Sequence, residues 1–366
     1  MGAFEDDPTI TDNDRIYMER AQATATVPLI FLNPDALDRA YFETHQKQIN
    51  PSDIQVFREM MDSQISGIST RYPDEGILHI AGLSMDGRHF SLQQEIPAEN
   101  DRDAFSYAFI NLQGNNRTPS DLETSLFSRN PEAEYYWSGF WGMHEGSHAG
   151  FEHLAHNATL NFGQPGENEA LAINAELSAD REGLEWLRSQ GQEEVAQAVI
   201  DYRALNAFAD PSHAATAILD DEPGVDATVE HFIAARQFTG VMLEAVGQDL
   251  NIDTFSVIDL SRSHPGALNN HVQRLFDEGR FDAASANPHV REFIEAYLGA
   301  YERQVSSQTQ APEADIDLRT DRTLLEQDRV AASPPEPDKT FPDETGATVN
   351  QSERTPETPA WVGPKL

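Results

Sequence analysis

The chain has 366 residues, 39% of them hydrophobic, enough to bury a real core in one large domain or two average ones. A formal net charge of -37 repels nucleic acid and anionic membrane surfaces and favours solubility. With no cysteine, disulfides, Cys-ligated zinc and thiol catalysis are excluded.

The first residues, MGAFEDDPTITDNDR, form no basic n-region and no apolar h-region. No stretch approaches the roughly 20 apolar residues of a membrane span. The expectation is a soluble cytoplasmic protein, with leaderless export left open. Residues 1–25 read as a flexible acidic arm. Val27–Leu32 reads as a short buried strand, and Pro34–Ile68 as helix with a break and restart at Pro51-Ser52-Asp53. Gly76–Leu83 and His89–Ile96 read as two strands, because Asp86-Gly87 between them is a hairpin signal. Ala104–Leu112 is a third strand candidate, and Gln113–Pro131 a polar loop near the site. A helix starts around Pro131 and carries Gly139, Gly142, Gly146 and Gly150. Interior glycines cost up to about 1 kcal/mol each in a helix, so another element is expected to pack very closely there. Helices follow at about 167–190, 193–208, 225–246, 267–278 and 288–304. Beyond 306 the apolar periodicity vanishes into Pro, Glu, Asp, Thr and Ser, and residues 306–366 read as a disordered acidic tail.

The chemistry lies in the helix after Pro131. His144-Glu145-Gly146-Ser147-His148 is an HExxH motif. Residues four apart share one helix face, so His144 and His148 can offer imidazole nitrogens to a single metal ion. Glu145 projects about 100° away and can hold a water beside the ion without taking its place. Such a carboxylate accepts the proton of that water and can pass it to a leaving amine. That is the chemistry of zinc-dependent peptide hydrolysis.

A catalytic zinc site usually takes a third protein ligand and keeps one position open. Glu152, His153, His156, Glu169, Glu176 and Asp180 are the nearby candidates. The metzincin pattern HExxHxxGxxH fails, because Gly150 and His153 each sit one residue too early. Glu176 and Asp180 share one face of the 167–190 helix, and a hairpin through 161–166 would bring that face to the motif. Glu176 is then the third ligand. Asp180 accepts a hydrogen bond from the far nitrogen of a ligating histidine, which fixes its tautomer.

With HExxH followed by ExxxD, the chain resembles the gluzincin metallopeptidases. Glu176-Leu177-Ser178-Ala179-Asp180 looks most like the M48 (Ste24/HtpX/Oma1/BepA-like) family, as does Ser263-His264-Pro265 leading into a helix. The resemblance covers roughly residues 130–280. Its membrane helices are absent here, and the spacing from motif to Glu176 is shorter than usual in that family. It implies a role for His264 near the metal or the transition-state oxyanion. The whole reading is a mainly helical α+β, zincin-like domain over residues 26–305, with an HExxH helix and a small β-sheet. Zn2+ is bound by His144, His148 and Glu176, with Glu145 as general base. The expected partner is a protein or peptide substrate, with no nucleic acid and no membrane span. Two other readings stay open: a non-catalytic interaction protein, and a metal hydrolase of non-peptide substrates.

Overall fold

The fold is described from a computed structural model, over residues 9–45, 47–85, 91–96, 105–112, 120–149, 165–208, 211–218, 229–307 and 318–319. It is mainly helical, with a small sheet against the first half.

Helix α1 (Asp12–Thr24) occupies the segment read from sequence as a flexible arm. The arm reading fails here because Thr11 and Asp14 form a capping box: Thr11 Oγ1 accepts from Asp14 N–H, and the Asp14 carboxylate accepts from Thr11 N–H. Ile16, Tyr17, Met18 and Ala21 are buried along its inner face. Strand β1 (Leu29–Leu32) matches expectation, as do α2 (Arg39–Thr44) and α3 (Asp53–Gln64), which restarts after the Pro51 break.

Helix α4 (Asp74–Met85) replaces the expected strand at 76–83. Its buried positions Ile77, Ile80, Ala81 and Ser84 fall at helical spacing, and Asp74 and Glu75 occupy its first turn. The Asp86-Gly87 turn expected after it lies outside the described residues. Strands β2 (Ser91–Ile96) and β3 (Phe105–Asn111) form where strands were expected. The sheet order is β1-β3-β2. β1 runs parallel to β3 with Leu29 opposite Ala108, and β2 runs antiparallel with Ser91 opposite Ile110. Central β3 is buried from Tyr107 to Ile110. Ile30 and Leu32 face α3 and α4, while Phe31 joins the core on the other side.

Helix α5 (Asp121–Arg129) corrects the loop expected at 113–131 over that part of it, and a Ser120–Glu123 capping box starts it. The motif helix is α6 (Ala133–His148). After it come α7 (Pro165–Ser189), α8 (Glu193–Leu205), a 3-10 turn at Pro211–Ile218, α9 (Val229–Leu250), α10 (Thr254–Ser263), α11 (Pro265–Asp277) and α12 (Pro288–Ser307). Helices α9 to α12 enclose a second core around Phe238, Met242, Leu275, Phe293 and Tyr297. The tail reading needs one correction. Leu318 is fully buried in this second core, and Arg319 donates to both Asp249 and Glu278. No helix among the described residues is long and apolar enough to cross a membrane.

The expected close packing on α6 is present on two sides. A Cβ on Gly142 would collide with the Tyr17 carbonyl, and one on Gly146 with the Ala21 carbonyl. Thr24 Oγ1 donates to Met143 O at 3.3 Å, tying the two backbones together. On the other side Trp186 of α7 fills the notch at Gly139, and Phe140 fills the notch at Gly183. Helix α6 is therefore fixed between α1 and α7, and this fixes the direction of its histidines.

Candidate metal centre

His144 and His148 point to the same place from successive turns of α6, with their Nε2 atoms 3.1 Å apart. Glu176 of α7 meets them there. Its Oε2 lies 2.9 Å from His148 Nε2 and 3.4 Å from His144 Nε2. The sequence reading thus placed three groups that the fold brings together. A fourth group was missed. His213, on the 3-10 turn, brings its Nε2 to 2.7 Å from the same Glu176 oxygen. His144, Glu176 and His213 form a group whose ligand atoms all lie within 4.8 Å of one another.

Behind these ligand atoms lies a buried polar network. Asp180 Oδ1 accepts from His144 Nδ1 at 2.7 Å and from Arg203 Nη2 at 2.7 Å. Its other oxygen accepts from Thr216 Oγ1. The guanidinium of Arg203 also sits 4.5 Å over the Trp141 ring. The 3-10 turn repeats every three residues, so His213 and Thr216 lie on one face. They meet Glu176 and Asp180, which are one α-turn apart on α7. Two elements of different pitch thus match each other rung for rung. Ser147, inside the motif, donates to Glu182 and further locks α6 to α7.

Charge follows from burial and neighbours. Burial opposes the charged form of Asp180, yet Arg203 and His144 outweigh it and hold the carboxyl well below its ordinary value of 3.8. Glu176 is also held well below the ordinary glutamate range: burial raises it, and His213 and His148 lower it more. Burial works against a protonated His144, but Asp180 raises its pKa on balance. Glu145 behaves in the opposite way. It is 4% exposed, and burial pushes its carboxyl upward against the pull of His144 and His148. Tyr17 of α1 is close enough for its hydroxyl pKa to be raised, by burial first and then by Glu145.

This donor set fits a metal ion. The ionised Asp180 only accepts, so the His144 proton sits on Nδ1 and its Nε2 lone pair points inward. Imidazole nitrogens and a carboxylate oxygen are the donor atoms that such an ion takes. The separations of 2.9, 3.1 and 3.4 Å among His144, His148 and Glu176 suit a small tetrahedral ion. Four ligands at about 2.0–2.1 Å from such an ion stand about 3.3 Å from each other.

His264 stands elsewhere in the chain's architecture. It joins the end of α10 to the start of α11, where its backbone N–H donates to Leu260 O and its carbonyl accepts from Leu268 N–H. It is not in the metal-competent group among the described residues. His213, also preceded by a serine but on the 3-10 turn, holds the place beside the ligands that was expected of His264. Glu152, His153 and His156 lie outside the described residues, as does the side chain of Glu169. Arg203 and Thr216 carried no sequence signal, because each is an ordinary polar residue until the fold buries it against Asp180.

Compared with known protein families, curated proteins and solved structures, the chain matches none.

Proposed function

We propose that this protein is a zinc-dependent metallopeptidase of the gluzincin kind, with an M48-like arrangement of HExxH and ExxxD. The observation that carries this reading is the convergence of His144 Nε2, His148 Nε2 and Glu176 Oε2 beside a buried Glu145. His144, His148 and Glu176 would hold the ion. A zinc ion so held acts as a Lewis acid that makes water nucleophilic near neutral pH.

The remaining work falls to the chain. Asp180 keeps the proton of His144 on Nδ1 and its Nε2 free to bind. Arg203 and Thr216 fix Asp180 in turn. Glu145, shifted upward by burial, is tuned to accept a proton from the attacking water and to return it to the leaving amine. Strand β2 is an edge of the sheet and lies beside α6, so an extended peptide pairing with it would be brought alongside the motif helix.

The test is metal content and peptide cleavage measured together on wild type, Glu145→Gln and Glu176→Ala. Wild type should hold one zinc and cleave a casein or peptide-library substrate. Glu145→Gln should keep the zinc and lose about 10²–10⁴-fold in cleavage. Glu176→Ala should lose zinc. Wild type that takes up no metal after remetallation would sink the proposal. A second reading, a structural metal without turnover, is favoured by one observation: His144, Glu176 and His213 form a group of mutually close ligand atoms by themselves, without His148 of the HExxH motif.

A further inference from the structure

We propose that the cleft between α5, α8 and α12 binds a free α-amino acid with an apolar side chain, its carboxylate on Arg129 and Arg303 and its ammonium on Glu194. None of the residues lining this cleft belongs to the metal centre, so the inference stands apart from the metallopeptidase reading.

Four observations carry it. First, there is room. A cavity of about 330 Å³ opens beside Arg129 and Arg303, and a shallower one of about 550 Å³ continues from the same two residues toward Ser306. Small-molecule sites begin near this size, at about 300 Å³. Second, two guanidiniums enter from different helices. Arg303 of α12 donates from Nε and Nη2 to the Asp201 carboxylate of α8, at 2.9 and 2.7 Å. Asp201 is buried and also accepts from Gln197 Nε2, so it holds the rigid fork of Arg303 in one orientation. Arg129, the last residue of α5, is steadied by its own bond to Ser125 Oγ at 2.6 Å. Paired guanidiniums suit a carboxylate. Third, the charges lining the smaller cavity balance: Arg129 and Arg303 face Glu194 and Asp201. On a chain of net charge -37 a simple anion is repelled, whereas a zwitterion meets each sign with its opposite. Glu194 Oε1 lies 3.5 Å from Arg129 Nη2, so both signs are offered within the span of one amino-acid backbone. Fourth, the floor is apolar. Leu126 and Ala198 are buried there and Leu122 is partly buried, which gives a hydrocarbon side chain a surface to cover.

Helix α8 carries both Asp201 of the cleft and Arg203 of the network behind the metal ligands. Free amino acids are end products of peptide hydrolysis. On the metallopeptidase reading, the cleft therefore senses product outside the metal centre, but the binding itself does not depend on that reading.

The experiment is calorimetric titration of the full chain with L-leucine. It is repeated with L-leucinamide, which lacks the carboxylate, with isocaproate, which lacks the ammonium, and with inorganic phosphate. L-Leucine should bind saturably. Leucinamide and isocaproate should each bind weaker by about tenfold, the loss expected when a charge-assisted hydrogen bond is removed. Arg129→Gln and Glu194→Gln change half-exposed side chains and leave the Asp201–Arg303 pair in place, so both variants should fold. Arg129→Gln should weaken leucine by about tenfold. Glu194→Gln should weaken leucine and spare isocaproate. Leucine binding that is unchanged in Arg129→Gln would place the ligand elsewhere, such as on a bound metal, and would overturn the inference. So would the absence of saturable leucine binding, or leucinamide or phosphate binding as tightly as leucine. The ligand series on wild type decides by itself should a variant misfold.

Discussion

His144 shows how much one side chain depends on what stands behind it. Its Nδ1 proton is held by Asp180, and Asp180 is held by Arg203 and Thr216, all in a region closed to solvent. Asp180→Asn is expected to weaken zinc binding by about 10–100-fold, read by competition with a chelator, because the amide no longer enforces the tautomer. Arg203→Met leaves the buried Asp180 charge without its strongest partner, and breaking such a pair costs about 3–5 kcal/mol. A urea titration of the metal-free protein would show it as a lower midpoint. The pH dependence has a definite sign. The folded pKa of Asp180 lies below 3.8, so its stabilisation is present above that value and is lost as pH falls further. Acid titration of the metal-free protein should show stability falling below about pH 4, and Arg203→Met should move that loss to higher pH.

At the scale of elements, α1 and α6 behave as one unit. Their backbones meet at Gly142 and Gly146, where no side chain has room. Gly142→Ala would push its methyl into the Tyr17 carbonyl. We expect it to destabilise the protein by about 1–3 kcal/mol, the usual cost of overpacking. The same substitution at Gly240 of α9 meets nothing within 4 Å. There it should stabilise by about 0.5–1 kcal/mol, through helix propensity alone. Thermal melting of the two variants side by side checks both signs. A gain at Gly142→Ala would mean that α1 does not bear on α6 as described.

At the scale of the whole molecule, two cores meet along α7, α8 and the 3-10 turn, and the site lies where they join. The first core surrounds Trp137, Phe140 and Leu187, and the second surrounds Phe238, Met242 and Phe293. The 3-10 turn spans the join, burying Ala214 and Ala217 in the second core while Thr216 holds Asp180 beside the first. The chain beyond α12 contributes too, through Leu318 and Arg319. Leu318→Ala should cost about 2–5 kcal/mol as a buried large-to-small change. Truncation after residue 307, which removes Leu318 and Arg319, should cost at least as much. A chain ending at 307 that melts like the full chain would remove Leu318 from the core.

What the sequence by itself determined is local. Residues four apart on a helix share a face whatever surrounds them, so HExxH and Glu176-to-Asp180 spacing were legible, and with them five of the residues at the site. The helices at 165–189, 193–205, 229–250, 265–277 and 288–307 were legible for the same reason, because their apolar positions recur at a helical period, whereas α10 (Thr254–Ser263) and the 3-10 turn were not read. Even some misreadings had a local signal. The Thr11–Asp14 and Ser120–Glu123 capping boxes announce α1 and α5, and the spacing of Ile77, Ile80, Ala81 and Ser84 announces α4. The tertiary structure alone decided the rest. Nothing near His213 in the sequence separates it from His264, and nothing near Arg203 marks it as the partner of Asp180, a contact across 23 positions. Those pairings are made by packing α7, α8 and the 3-10 turn together. A polar side chain far along the chain acquires its role only when that packing removes water and leaves it one partner to meet.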